Sequence, residues 1–97
     1  MHYAVVKSDT FRRWLKGLRD KRAQARIAVR IDRMEEGNFG DHRSIGDGVS
    51  ELRVDVGAGY RIYYTTRQQS VVILLCGGDK SRQRKDIECA RRMAAAL

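Results

Sequence analysis

The 97-residue sequence contains no proline and only two cysteines. The absence of proline excludes a rigid proline-rich linker. Cys76 and Cys89 are too far apart for a Cys-x-x-Cys motif, and core-type residues flank both. We interpret them as buried, reduced thiols, with a redox role as the less favoured alternative.

Long hydrophobic runs are also absent. No apolar segment approaches the length of a membrane span, and the N-terminal residues lack the apolar stretch of a signal peptide. We therefore expect a cytoplasmic protein without a membrane partner. Hydrophobic residues still make up 42% of the chain. This content and this length predict one compact domain over residues 1–97.

Negative charge is scarce relative to positive charge. Twenty Lys and Arg residues stand against twelve Asp and Glu residues, which gives a formal net charge of +8. Arginine supplies most of the cations, and its planar fork suits phosphate groups. A small domain this basic is typical of proteins that bind a polyanion, although a solvated basic surface is the simpler alternative.

The spacing of apolar residues predicts two consecutive helices near the N-terminus. Ser8 or Asp9 is the expected N-cap of the first helix, Asp20 that of the second, and Gly37 ends the pair. Their apolar stripes comprise Phe11, Trp14, Leu15 and Leu18, and then Ala23, Ile27, Ile31 and Met34. Because the two helices are nearly contiguous, we expect a helical hairpin.

Strands are predicted at 3–6, 49–56, 60–66 and 71–76, with the last central because it is apolar throughout. The glycine-rich segment 37–48 is predicted to be an irregular loop. A final helix would bury Ile87, Ala90, Ala94 and Leu97. The order β-α-α-β-β-β-α predicts an α+β fold in which the helical hairpin packs on a mostly antiparallel four-stranded sheet.

Familiar catalytic motifs are missing, including a P-loop, a dinucleotide fingerprint and His-Glu-x-x-His. What remains is a concentration of cations near the predicted sheet. Arg53 and Arg61 should face outward on neighbouring strands, beside Asp55 and Tyr63. Further cations follow the next strand: Lys80, Arg82, Arg84 and Lys85. We expect these side chains to converge on one open face of the sheet, where an anionic ligand would relieve their repulsion.

Each of these residues also has an ordinary structural explanation. Arg61 could simply pair with Asp55 or Glu51 across the hairpin. The cations from Lys80 onward could form the solvated start of a helix, although cations there oppose the helix dipole. Tyr63 could be a cross-strand aromatic residue instead of a platform for a nucleobase.

Three segments carry a resemblance to a known family: residues 51–55 (ELRVD), 59–64 (GYRIYY) and 71–81 (VVILLCGGDKS). In this order they resemble the RelE/ParE toxin superfamily, in particular its branch of phage-derived Gp49-like or HigB-type addiction module killer proteins. With the two helices ahead of them, the resemblance covers nearly the whole chain. It implies a RelE-like fold.

The resemblance also implies an activity, that of the toxin of a type II toxin–antitoxin system. Such toxins are usually ribosome-dependent endoribonucleases that cleave mRNA in the A site without a metal ion or another cofactor. The substrate's own 2′-hydroxyl attacks the neighbouring phosphate. Because one fold can support different activities, two alternatives stay open: a ParE-like inhibitor of DNA gyrase, and a non-enzymatic nucleic-acid-binding module.

Site residues follow from the resemblance by position. Arg61 matches the family's strand arginine and should grip the scissile phosphate. Lys80 and Arg82 match the basic cluster after the last strand, Arg53 stands near the family's basic strand, and Asp55 is a candidate catalytic carboxylate. The expected RNA-binding residues are Tyr63, Arg84, Lys85 and Arg43.

Two departures from the family pattern leave the general base open. Glu51 and Asp55 alternate with Arg53 where RelE proper has lysines, and Ile87 stands where RelE proper has a tyrosine. Lys80, Asp55 and Glu51 are the candidates for the base.

The resemblance further implies the binding partners. One is a cognate antitoxin, expected to contain a helix-turn-helix and to present an acidic contact surface, in a possible toxin–antitoxin hetero-oligomer. The others are the ribosome and mRNA. Binding to free RNA should be sensitive to salt, because each phosphate contact releases counterions.

Overall fold

The computed structural model describes residues 2–97. Within that range the elements follow in the order β1 (Ala4–Lys7), α1 (Asp9–Lys16), α2 (Lys21–Glu35), β2 (His42–Gly46), β3 (Val49–Val54), β4 (Tyr60–Arg67), β5 (Val71–Asp79), a short 3-10 helix (Lys80–Arg82) and α3 (Gln83–Ala95).

The five strands form one sheet in the order β1-β5-β4-β3-β2. Only β1 and β5 pair in parallel, and the other three pairings are antiparallel. The predicted α+β class and the mostly antiparallel sheet are therefore confirmed. The apolar run at the start of β5 is explained by its place inside the sheet, between β1 and β4.

The predicted strand number was wrong: the sheet has five strands, because β2 arises from the segment expected to be an irregular loop. In β2, His42 and Arg43 pair with Leu52 and Glu51 of β3. Asp47 and Gly48, which both have positive φ, form the turn between the two strands. The glycine and aspartate residues that suggested a loop thus make a tight hairpin.

Helices α1 and α2 lie on one face of the sheet and enclose the larger core. Ser8 caps α1 by accepting a hydrogen bond from the Phe11 N–H (3.0 Å), and Asp20 caps α2 by accepting one from the Ala23 N–H (3.0 Å). The predicted stripe of α2 is entirely buried, and so is Phe11 of α1. Across the core lie Leu52, Val54, Tyr60, Ile62, Tyr64, Val72 and Leu74 from three strands.

Helix α3 covers the opposite face of the sheet, which the sequence had been expected to leave open. Ala90 and Ala94 pack there in a second cluster with Val49, Tyr63, Leu75 and Cys76. The prediction of an open face was wrong because strand alternation shows which residues share a face and not what covers it. Leu97, expected on the buried side of α3, is 63% exposed because α3 ends at Ala95.

Tyr63 was predicted to bind RNA as a platform for a nucleobase, with an ordinary cross-strand aromatic residue as the alternative, and its burial favours the alternative. Its side chain is fully buried beneath α3, and its hydroxyl has no hydrogen-bond partner among residues 2–97. Burial and the nearby carboxylates of Glu51 and Asp86 raise the pKa of Tyr63. The hydroxyl therefore stays protonated in a place where it contributes nothing to stability.

Removing that hydroxyl should stabilise the protein. We expect Tyr63→Phe to raise the free energy of unfolding by about 1 kcal/mol, because the substitution removes a buried polar group without partners. Thermal and urea unfolding measure the change. As a control, Thr65→Val should lower stability, since the Thr65 hydroxyl donates a 2.7 Å hydrogen bond to the Gly48 carbonyl. A Tyr63→Phe protein that is clearly less stable than the wild type would contradict this assignment.

Candidate nucleic-acid interface

The centre of the candidate site is a pair of arginines on the face covered by α3. Arg53 of β3 and Arg61 of β4 are direct cross-strand partners, and Gly78 of β5 lies opposite Arg61 on its other side. Both arginines thus occupy one row across the sheet, as the alternation in the sequence predicted.

The buried carboxylate of Glu51 contacts side chains from three other elements at this place. The side chain of Glu51 is fully buried, its Oε2 accepts a 2.6 Å hydrogen bond from Nε of Arg43, and its Oε1 accepts one of 3.0 Å from Nε2 of Gln83. Nε of Arg61 lies 3.8 Å from the same Oε1. Glu51 therefore links β2, β4 and the first residue of α3 through one carboxylate.

Arg61 is only partly satisfied by these contacts. Its side chain is 18% exposed, and Nη1 donates a 3.3 Å hydrogen bond to the Tyr60 carbonyl. Its Nε is buried and has no hydrogen-bond partner among the described residues. The guanidinium is thus oriented by Glu51 at the margin of the face, where its exposed part can donate to an oxygen acceptor.

Arg53 lies at the rim, where its charge is already paired. Nε and Nη2 donate to Oδ1 of Asp41 at 3.1 and 2.8 Å, and both side chains are substantially exposed. The carbonyl of Arg53 accepts a 2.7 Å hydrogen bond from Nη1 of Arg30. An exposed pair of this kind exchanges readily with solvent, so a phosphate can compete with Asp41 for Arg53.

The basic residues after β5 occupy the 3-10 helix and the first turn of α3. The N–H of Lys80 donates a 2.9 Å hydrogen bond to the Gly59 carbonyl, and the methylene chain of Lys80 packs against Gly59 in the β3–β4 turn. Asp79 caps this helix by accepting hydrogen bonds from the hydroxyl and the N–H of Ser81, and these bonds lower the pKa of Asp79.

Four cations in this segment are exposed and free of ion pairs within residues 2–97: Lys80, Arg82, Arg84 and Lys85. The last three line a cleft of about 320 Å³ together with Ser81. A second cleft, of about 470 Å³, has Arg43, Arg84 and Arg91 in its wall. Together the two clefts form a continuous basic margin around the start of α3, because Arg84 belongs to both.

The structure thus brings most of the predicted residues to one region but not all of them. Arg53 and Arg61 are neighbours, Arg43 joins Arg61 at Glu51, and the segment from Lys80 to Lys85 borders the same face. Asp55 lies beyond the end of β3, is exposed, and forms no hydrogen bond or ion pair with another described side chain. Tyr63 lies beneath the site.

One carboxylate was missed by the sequence reasoning. Asp86 of α3 overlies the strand end so closely that a Cβ at Gly78 would overlap its Oδ2. That oxygen is buried without a hydrogen-bond partner among residues 2–97, and burial raises the pKa of Asp86. The sequence feature that could have identified Asp86 is helical spacing, because Asp86, Ala90 and Ala94 recur every four residues on the packed face of α3.

Two further classes of site can be assessed for residues 2–97. In that range, no group of three or more His, Cys, Asp or Glu side chains is arranged to hold a metal ion. None of the described helices is both long enough and apolar enough to cross a bilayer.

Comparison with solved structures defines the fold class. A double arginine-to-alanine variant of the E. coli toxin RelE, solved in the free state, superimposes with a TM-score of 0.74 over 96% of this chain and 99% of that one. Sequence identity between the two is 14%, so the likeness establishes the fold alone. The RelE-like fold implied by the strand motifs is confirmed.

The sequence comparisons define the family. Residues 13–94 match the family model described as Phage derived protein Gp49-like (DUF891). This chain belongs to that family. It is also 52% identical to an uncharacterized protein of Haemophilus influenzae, over 100% of this chain and 98% of that protein.

The pKa of Asp86 leads to a prediction about stability. A carboxyl whose pKa is raised in the folded state stabilises the protein while it is protonated, and this contribution is lost as the pH rises through the folded-state pKa. We expect Asp86→Asn to raise the melting temperature at neutral pH and to lose this advantage in acid. Thermal unfolding across a pH series measures the effect.

The matched control is Glu88→Gln, which removes the same charge from an exposed position on α3. It should leave the pH profile of the melting temperature nearly unchanged. If Asp86→Asn and Glu88→Gln had the same profile, burial of the Asp86 carboxylate would not affect stability.

Proposed function

We propose that this protein is the toxin of a type II toxin–antitoxin system and acts as a ribosome-dependent endoribonuclease. One observation carries the proposal: Arg61, oriented by the buried Glu51 and with 18% of its side chain exposed, stands beside Arg53 on the face bordered by the unpaired cations from Lys80 to Lys85. The family match and the RelE-like fold support the same conclusion.

The proposed reaction needs only groups that the RNA and the protein supply. The 2′-oxygen of the substrate attacks the adjacent phosphorus while its proton passes to a general base. The bond from phosphorus to the 5′-oxygen breaks, and that oxygen takes a proton from a general acid. The products are a 2′,3′-cyclic phosphate and a 5′-hydroxyl. Negative charge accumulates on the phosphate oxygens in the transition state, and the guanidinium of Arg61 stabilises it.

Burial and hydrogen bonding favour different roles for the candidate bases. Glu51 is fully buried and already accepts hydrogen bonds from Arg43 and Gln83, so it suits a positioning role. Lys80 is exposed, forms no ion pair with another described residue, and is held by its N–H at the carbonyl of Gly59, two residues before Arg61, so its side chain is free to reach a substrate. Asp55, exposed at the end of β3, is the alternative carboxylate.

The remaining cations suit the RNA backbone. Arg82, Arg84 and Lys85 line one cleft, and Arg43 with Arg84 lines the next, so a strand of RNA could follow phosphates along this margin. The net charge of +8 would steer the protein toward the ribosome. The same surface is suited to an acidic segment of a cognate antitoxin, which would compete with RNA for it.

We expect Arg61→Ala to abolish mRNA cleavage and growth inhibition while leaving the fold intact. The fold should survive because Arg43 and Gln83 still satisfy Glu51. Removal of a preorganised charged donor of this kind typically costs about 10²–10³ in rate. Primer extension on cellular mRNA after induction measures cleavage, and circular dichroism checks the fold.

Arg92→Ala provides the control, since Arg92 is exposed in the last turn of α3 and forms no ion pair with another described residue. It should cut mRNA normally. Full toxicity of a folded Arg61→Ala protein would reject the site. Toxicity with DNA damage and no mRNA cuts would reject the endoribonuclease in favour of gyrase inhibition.

Lys80→Ala should slow the chemical step, because it removes the cation closest in sequence to the strand end and the favoured base. General acid–base groups typically contribute about 10²–10⁴ in rate. Single-turnover cleavage on programmed ribosomes separates this step from binding. An unchanged rate constant at saturating protein would exclude Lys80 from catalysis and leave Asp55 as the candidate.

A further inference from the structure

Three sulfur-bearing side chains meet between the end of β5 and α3. Cys76 of β5 is 4% exposed and belongs to the second core cluster, and Cys89 and Met93 of α3 pack against that cluster. Both cysteines are free thiols. We call these three residues the sulfur cluster. The proposed cleavage of RNA makes no use of them.

The sulfur atoms of the cluster lie close to one another. Cys89 and Met93 are four residues apart on one side of α3, and their Sγ and Sδ atoms are 3.9 Å apart. Sγ of Cys76 donates a weak 3.6 Å hydrogen bond to the carbonyl of Asp86, three residues before Cys89. Burial raises the pKa of Cys76 to about 12, and contact with the Cys89 thiol contributes to that rise. Metal–sulfur bonds are about 2.3 Å long, so two sulfur ligands of one ion are separated by at most about 4.6 Å.

The cluster is accessible from solvent through a cavity. Cys76 and Cys89 both line a cavity of about 600 Å³ beside the end of β5, and Cys89 is only partly buried. Arg82 lines the same cavity and forms no ion pair within residues 2–97. Two thiolates and one monovalent cation together carry a charge of about −1, and the guanidinium of Arg82 can balance it.

The donor atoms select the kind of ion. Thiolate and thioether sulfur atoms are soft ligands, which favour Cu(I) over hard ions such as Mg²⁺ and Ca²⁺. Zn²⁺ is typically held by four ligands drawn from thiolate, imidazole and carboxylate groups. The sulfur cluster supplies two thiolates and a thioether, so its composition fits Cu(I) better than Zn²⁺.

We propose that Cys76, Cys89 and Met93 form a Cu(I) site that joins β5 to α3. Each thiol releases its proton to solvent as its sulfur binds the ion, and Met93 binds through a lone pair of its thioether. The ion stays Cu(I) throughout, so no oxidant or reductant is consumed. Because the ligands come from a strand and a helix, the bound ion stabilises the folded protein.

Titration of the intact, reduced protein with Cu(I) tests the site. The ion is supplied under nitrogen as its coloured complex with the chelator bicinchoninate, and loss of colour measures transfer to the protein. One equivalent should be transferred and should raise the melting temperature by about 10 °C, as a ligand at a hundredfold excess over Kd does. Colour that persists, or transfer without a change in melting temperature, would overturn the proposal.

Two variants and a matched control locate the ion. Cys89→Ser should weaken Cu(I) binding about a hundredfold and Met93→Leu about tenfold, because the thiolate is the stronger donor. Met34→Leu makes the same change in the larger core, where Met34 is fully buried, and should leave binding unchanged. Circular dichroism checks the fold of each variant. A folded Cys89→Ser protein with the affinity of the wild type would rule out the site.

The methyl groups of the three methionines give a second readout. NMR of protein labelled with ¹³C at the methionine methyl groups should show the Met93 signal shifting with Cu(I) and the Met34 signal staying in place. A shift confined to Met1 would put the ion at the N-terminus and contradict the proposal. So would loss of both thiols without bound copper, which indicates a disulfide. Neither measurement needs ribosomes, so its failure is distinct from failure of the Arg61→Ala cleavage test.

Discussion

The structure depends on one buried carboxylate. Glu51 lies in the middle of a sheet face that α3 covers, and it is held by Arg43 from the edge strand, Gln83 from α3 and Arg61 from the neighbouring strand. A carboxylate buried in this way is tolerable only when it is paired and hydrogen-bonded, and Arg43 and Gln83 supply a hydrogen bond to each of its two oxygens. Strand β2, the placement of α3 and the orientation of Arg61 are therefore tied to one another.

Polar groups without partners are concentrated around the same place. The buried side-chain nitrogen and oxygen atoms that lack a hydrogen bond within residues 2–97 are Nε of Arg61, the hydroxyl of Tyr63 and Oδ2 of Asp86. All three lie on the face beneath the first turns of α3. Unsatisfied groups lower stability, so this cost to folding is concentrated in one region, next to the proposed site.

The two glycines at the end of β5 give its two faces different roles. Gly77 accommodates the indole of Trp14 on the side of α1, and Gly78 accommodates the carboxylate of Asp86 on the side of α3. Any larger residue at either position would displace the group above it. The Gly-Gly pair that carried part of the family resemblance therefore has a direct steric purpose, because it lets two helices approach the same strand end.

Local patterns in the sequence determined the elements of this protein. Alternation placed Leu52, Val54, Tyr60, Ile62 and Tyr64 on the same face of the sheet, helical spacing found the buried stripe of α2, and Asp20 was recognised as a cap, with Ser8 as one of two candidates for the other. These features depend on interactions within a few residues of each other, or on a period of two or four, so they can be deduced from the sequence alone.

Only the tertiary structure determined which elements pack against each face of the sheet and which strand pairs at its edge. It paired β2 with β3, laid α3 over Tyr63 and brought Arg43 to Glu51 and Asp86 to Gly78. The packing of α3 over Tyr63 joins residues that are distant in sequence, and the other contacts lie within the β2–β3 hairpin or between the end of β5 and α3, where alternation alone does not identify the partner. The physical reason is that a sheet presents the same alternation whether a face is covered by a helix or by water, and only the packing of the whole chain selects between the two.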